Sequence, residues 1–155
     1  MECSVPSLFG FVLCFAPMSG QTDSDIASQV VGTWKLVSTE ETMKNGTTRP
    51  FPSFGPHAKG LLIYQPDGYM SAQLVNPDAV DGAFAYCGRY EIDVKHSQIV
   101  HLPEVATDRG YVGSRQIRPY RLEGGRLIFS DLEKNDPSVE RWKIVWEKVP
   151  ESRQQ

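Results

Sequence analysis

Turn residues cut this chain into short β-rich runs, and that punctuation constrains the fold more than any other feature. Runs rich in β-branched and aromatic residues cover Thr33–Thr39, Gly60–Gln65, Tyr69–Val75, Phe84–Asp93, Gln98–Leu102, Tyr111–Leu122, Arg126–Leu132 and Val139–Val149. Between them stand turn-forming clusters: Lys44-Asn45-Gly46, Pro66-Asp67-Gly68, Asp93-Val94-Lys95-His96, Glu123-Gly124-Gly125 and Asn135-Asp136-Pro137. No long window carries helical periodicity. The segment Asp23–Val31 fits a short helix capping one end, with Asp23 or Ser24 as its N-cap. About eight strands joined mostly by hairpins predict an all-β, up-and-down antiparallel barrel, because closure removes exposed sheet edges and eight strands enclose one small ligand. A β-sandwich is the competing architecture.

A chain of 155 residues fits one domain with one core. We place the barrel at residues 26–150, after an extension at 1–25 and before a tail at 151–155. The net charge of -3, with Lys and Arg scattered, carries no footprint for nucleic acid and no basic patch for an anionic membrane. Cys3, Cys14 and Cys87 make an odd set without CxxC spacing, which argues against a disulfide framework or a zinc site. Cys87 reads as a buried apolar thiol. The run Leu8–Ala16 has signal-peptide length but no preceding Lys or Arg, so the expectation is a cytoplasmic protein, with secretion as the alternative. It is too short to span a bilayer, and no stable membrane insertion is expected.

Alternation along strands assigns faces. Trp142, Ile144 and Trp146 share one face of the last strand, opposite Arg141, Lys143 and Glu147, so the tryptophans point inward. Phe84, Tyr86, Gly88, Tyr90 and Ile92 form the inward set of another strand. Opposite Arg115, Ile117 and Arg121, the set Val112, Ser114, Gln116, Arg118, Tyr120 and Leu122 faces the interior. Three positions stay open on pattern alone: His101 with Ile99, Tyr64 against Ile63, and Tyr69, Ser71 and Gln73 against Met70, Ala72 and Leu74. An interior holding Arg118, Gln116 and several tyrosines is too polar for a barrel filled only for stability, since an unpartnered buried polar group costs roughly 1–3 kcal/mol.

Several blocks carry a resemblance. Gly32-Thr33-Trp34-Lys35-Leu36-Val37-Ser38, Gly60-Leu61-Leu62-Ile63-Tyr64 running into Pro66-Asp67-Gly68-Tyr69-Met70-Ser71-Ala72, and Tyr86-Cys87-Gly88-Arg89-Tyr90-Glu91 are similar to the lipocalin-like domain family of bacteria and filamentous fungi. The likeness continues through His101, Val112-Gly113-Ser114, Gln116, Arg118 and Tyr120-Arg121-Leu122. It implies a calycin-type barrel with an internal ligand cavity. Some fungal members belong to natural-product pathways as cofactor-free cyclases or isomerases, and the analogy implies little more about function. The segments Asn76–Gly82 and Ala106–Gly110 are shorter or more polar than in such relatives, so ligand identity does not transfer.

The resulting expectation is a cofactor-independent isomerase or cyclase acting on a small hydrophobic polyketide-like or terpenoid intermediate, monomeric or homodimeric. A carrier that binds such a molecule without chemistry is the alternative. Arg118 is the candidate for holding or stabilising a negative oxygen, since a guanidinium stays ionised and donates bidentately; its structural alternative is an ion pair with Glu91 or Glu104. His101 is a candidate acid or base, with Glu104 as a conceivable dyad partner, and Tyr86 a candidate proton donor. Candidate substrate contacts are Gln116, Tyr64, Tyr90, Tyr120, Ser71, Gln73, Phe84, Trp142 and Trp146. Trp34 reads as a plug at the barrel end. No phosphate loop, nucleophile elbow or paired-histidine motif is present, and His57, His96 and His101 are isolated in different segments, so no metal or other cofactor is expected.

Overall fold

The computed structural model describes residues 22–150. The apolar run at 8–16, Cys3, Cys14 and the tail at 151–155 lie outside the described residues. Helix α1 (Asp23–Val30) is followed by β1 (Gly32–Met43), β2 (Thr48–Arg49), β3 (Lys59–Tyr64), β4 (Tyr69–Val75), β5 (Ala83–Asp93), β6 (Gln98–Ala106), β7 (Gln116–Glu123), β8 (Arg126–Leu132) and β9 (Val139–Lys148). The strands pair antiparallel in the order β2-β1-β3-β4-β5-β6-β7-β8-β9, and β1 also pairs with β9. That last pairing closes eight strands into a barrel. The two-residue β2 folds back on the end of β1.

Closure requires curvature, which three register shifts supply: at Leu36/Ser38, Thr42/Met43 and Cys87/Gly88. At the third, Gly88 faces Pro103, and a Cβ there would lie 2.2 Å from the Leu102 carbonyl oxygen. Only glycine fits that approach.

The lower end is closed. Helix α1 sits across it, capped by Thr22 rather than by Asp23 or Ser24, in a reciprocal capping box with Asp25. Trp34 is 1% exposed and donates its indole N–H to the Val30 carbonyl at 2.9 Å, which makes it the expected plug and fastens the helix to the barrel. Tyr64, Ile99 and Leu127 complete this packed floor. The upper end carries the 50–58 and 76–82 loops, a short 3₁₀ turn at Arg109–Tyr111 and the β8–β9 turn.

Two expectations are corrected. The sixth run is not strand from Tyr111: Gly113 adopts φ 76°, which breaks the extended chain, and β7 begins only at Gln116. Val112, expected inside, is half-exposed. Cys87 stands exposed on the outer face instead of being buried, because alternation on β5 sends Tyr86 and Gly88 inward.

Candidate functional site

A cavity of about 600 Å³ occupies the upper half of the barrel and opens among the upper loops. Its apolar wall is built by Trp142, Ile144 and Trp146 of β9 with Leu62, Ala72 and Leu74. The β9 set points inward as its charged alternate partners predict. On β4, Met70, Ala72 and Leu74 are the buried set. Ser71 and Gln73 therefore turn outward, where the Gln73 amide donates to Ser71 Oγ at 2.6 Å, and they are corrected as ligand contacts. Ala72 lies between Leu62 and Tyr86 in register, so the small aliphatic residue, not the serine, completes the cavity side.

Facing this wall is a polar stripe. The Arg118 guanidinium reaches Gln116 Oε1 at 3.3 Å, lies beside the Tyr86 and Tyr111 hydroxyls, and stands 6.0 Å from the Trp142 ring centre. Among the described residues it has no carboxylate partner. Glu91, one proposed structural partner, pairs instead with the outward Arg115 at 3.3 Å, and Glu104 is exposed on the outer face. Burial opposes the Arg118 charge, but the neighbouring Tyr86 and Tyr111 outweigh it and hold the guanidinium ionised, its pKa raised.

His101 is 1% exposed at the base of the stripe. Its Nε2 lies 2.6 Å from the Tyr64 hydroxyl and its Nδ1 2.7 Å from the Tyr86 hydroxyl. Burial, and secondarily the Arg118 charge, hold its pKa well below the usual histidine value, so the imidazole is neutral. With both ring nitrogens engaged and Glu104 outside the barrel, no His101–Glu104 dyad exists. Tyr86 lines the cavity; burial raises its pKa against the opposing pull of Arg118, so it is a neutral phenol. Tyr64 is fully buried behind the histidine, and burial, then Tyr86, push its hydroxyl well up.

Two further tyrosines are corrected in position. Tyr90 packs its ring 4.7 Å from that of Tyr64 and donates to the Gln65 carbonyl at 2.8 Å, below the cavity floor. Tyr120 lies at the closed end, its pKa raised by burial and then by Asp23 and Asp93. Both face inward, as expected, but at the wrong depth to touch a ligand. Tyr64 likewise acts only through His101. Phe84, Gln116, Trp142 and Trp146 do line the cavity.

Several lining residues escape sequence reasoning. Tyr111 swings over the cavity from the 3₁₀ turn and meets the Phe84 ring edge-on at 4.8 Å. Phe54 approaches Phe84 at 6.4 Å and Phe51 at 6.3 Å, forming an aromatic brow at the mouth. Two phenylalanines within the otherwise turn-like Phe51-Pro52-Ser53-Phe54 were the available signal, since a loop that buries aromatics has a reason to do so. Among the described residues, no three His, Cys, Asp or Glu side chains gather as a metal site, and no helix is long and apolar enough to cross a membrane.

A closed antiparallel barrel with one mouth, an aromatic wall and a few convergent polar groups defines a ligand-enclosing β-barrel. The chain belongs to the lipocalin-like domain family, whose profile matches residues 31–81 and 77–149. Among solved structures it is similar to the lipoprotein YedD from Klebsiella pneumoniae subsp. pneumoniae, at 14% identity and a TM-score of 0.41, over 79% of this chain and 74% of that one. No curated protein matches it significantly.

Proposed function

We propose that the barrel binds one small, largely apolar molecule by a carbonyl, enol or phenol oxygen and acts on it as a cofactor-independent isomerase or cyclase. The observation that carries this reading is Arg118: a cation on the cavity wall, without a carboxylate among the described residues, beside the Tyr86 hydroxyl. A pre-positioned guanidinium and phenol stabilise negative charge developing on a ligand oxygen, and in a site shielded from water such stabilisation contributes several kcal/mol. Trp142, Trp146 and Phe84 would hold the apolar body of the substrate in a reactive conformation. Ring closure onto a polarised carbonyl, or migration of a double bond next to it, follows from that chemistry.

One observation favours a second reading, that of a carrier. Both nitrogens of His101 are held by tyrosines, which leaves the stripe around Arg118 without a free base. The two readings separate when purified protein is incubated with an extract from cells lacking its gene. The enzyme reading expects an accumulated compound to be converted to an isomer or dehydrated product, and the conversion to disappear in Arg118→Met. Recovery of a tightly bound compound unchanged would establish the carrier instead.

A further inference from the structure

The hydrogen bonds around Arg118 run in one direction. Tyr64 has a single hydrogen-bond partner among the described residues, His101 Nε2. If Nε2 carried the ring proton, the fully buried Tyr64 hydroxyl hydrogen would face no acceptor, which forfeits its desolvation without return. Tyr64 therefore donates to Nε2, the proton of the neutral ring sits on Nδ1, and Nδ1–H donates to the Tyr86 oxygen. Tyr86 is left with its own hydrogen free to point into the cavity. A second chain behaves alike. Arginine only donates, which turns Gln116 Oε1 toward it; the Gln116 amide then donates to Ser114 Oγ at 2.8 Å, and Ser114 donates to the Tyr111 carbonyl at 2.6 Å. The His101, Gln116 and Ser114 acceptors are engaged within the stripe, and the Tyr86 hydrogen remains on the cavity side.

We infer that Tyr64 and His101 are positioning residues that fix Tyr86 as a hydrogen-bond donor, so that Tyr86 and Arg118 together select a ligand oxygen that only accepts, a ketone or enolate, over an alcohol. This rests on the reading of the cavity as the ligand site and names the substrate class for it. An alcohol oxygen held there would carry its own hydrogen beside Tyr86 O–H and the guanidinium, neither of which is free to receive it. Sites that leave a polar group unpaired discriminate strongly against the wrong partner.

Two measurements test the inference on the full chain. Long-range ¹H–¹⁵N spectra of histidine-labelled protein should show His101 as the neutral Nδ1–H tautomer, and Tyr64→Phe should shift that tautomer balance; an Nε2–H ring or an imidazolium in the unsubstituted protein would overturn the relay. This first measurement needs no ligand and does not depend on whether Tyr64→Phe folds. Binding is then followed by tryptophan fluorescence with two probes of one shape, 2-acetylnaphthalene and 1-(2-naphthyl)ethanol. The ketone should bind about tenfold more tightly, in the range of one polar-group mismatch. In Tyr86→Phe the preference should fall below about twofold, through the ketone alone. Equal affinity for the two probes, or equal weakening of both by Tyr86→Phe, would overturn the inference while leaving the cavity a binding site. Failure of both probes to bind would remove the binding reading and the inference with it.

Discussion

The two halves of the barrel solve opposite problems with the same strands. In the lower half, Val30, Trp34, Ile99 and Leu127 are at most 1% exposed, and the polar atoms of Trp34 and Tyr90 find backbone carbonyls. In the upper half the same sheet encloses about 600 Å³, a guanidinium without a carboxylate, and a Trp146 indole N–H with no partner among the described residues. Buried polar groups are nearly always satisfied, and exceptions concentrate where a ligand or water completes them. The difference teaches that stability resides below and recognition above. Substitutions in one half should therefore leave the other's property intact.

The largest expected effect tests the lower half. Trp34→Ala should cost about 3–5 kcal/mol in urea unfolding, since a large buried side chain leaves both lost transfer energy and a cavity. It also removes one fastening of α1, because the Trp34 indole is what holds the Val30 carbonyl. An effect below about 1 kcal/mol would show that the floor is not the stabilising half.

Next comes the boundary between the halves, where His101 sits. Its pKa is depressed in the folded protein, chiefly by burial and then by Arg118, from an ordinary value of 6.5. The groups packed on it are Tyr64, Tyr86 and Arg118. Below pH 6.5 the unfolded chain binds a proton on this residue that the folded one refuses, so its contribution to stability is complete above that pH and declines as pH falls toward the folded pKa. The slope this single proton contributes cannot exceed about 1.4 kcal/mol per pH unit. Urea unfolding of the protein and of His101→Gln across this range isolates the term: the variant should lack that component of the slope. Parallel pH profiles would contradict a buried neutral imidazole.

A smaller effect returns to the floor. Thr22→Ala removes a cap whose hydroxyl accepts from the Asp25 N–H at 3.3 Å, and should cost about 1 kcal/mol. Because α1 lies at the opposite end from the mouth, affinity for 2-acetylnaphthalene should not change. A loss of affinity would mean that the halves are coupled.

What the sequence revealed follows the same division. The tryptophan face of β9 was legible because Arg141, Lys143 and Glu147 occupy its other side, and charge settles orientation. On β4 neither face is charged, and only the pairing of Ala72 with Leu62 and Tyr86 decides that Ser71 and Gln73 turn outward. Alternation reports which way a side chain points, not how far along the barrel axis it lies. Tyr90 and Tyr120 are thus legible as facing inward but not in their depth below the cavity, and for Tyr64 neither direction nor depth is legible. Tyr111 was misread for a different reason: the positive φ of Gly113 ends extended structure just where a strand pattern continues in the residues. The polar stripe of Gln116 and Arg118 was legible as a face, whereas its hydrogen-bond directions needed the position of Tyr64.

The smallest effect on stability is expected at the residue that matters most for binding. Arg118→Met keeps the apolar stem of the side chain while removing a charge that has no carboxylate partner among the described residues. Gln116 and Tyr86 lose a donor, which is unfavourable, but the desolvation cost of the guanidinium disappears as well, and replacing buried charge by apolar volume is often neutral or favourable. The two changes oppose, so unfolding free energy should move by less than about 1 kcal/mol. Affinity for 2-acetylnaphthalene should nevertheless fall about tenfold or more, the usual consequence of losing a charge-assisted hydrogen bond. Urea unfolding and fluorescence titration of the same preparation check both numbers. A loss of several kcal/mol in stability with unchanged affinity would make Arg118 a structural residue and place the upper half under the same rule as the lower. The expected pattern instead marks a site held at some expense of stability for what it binds.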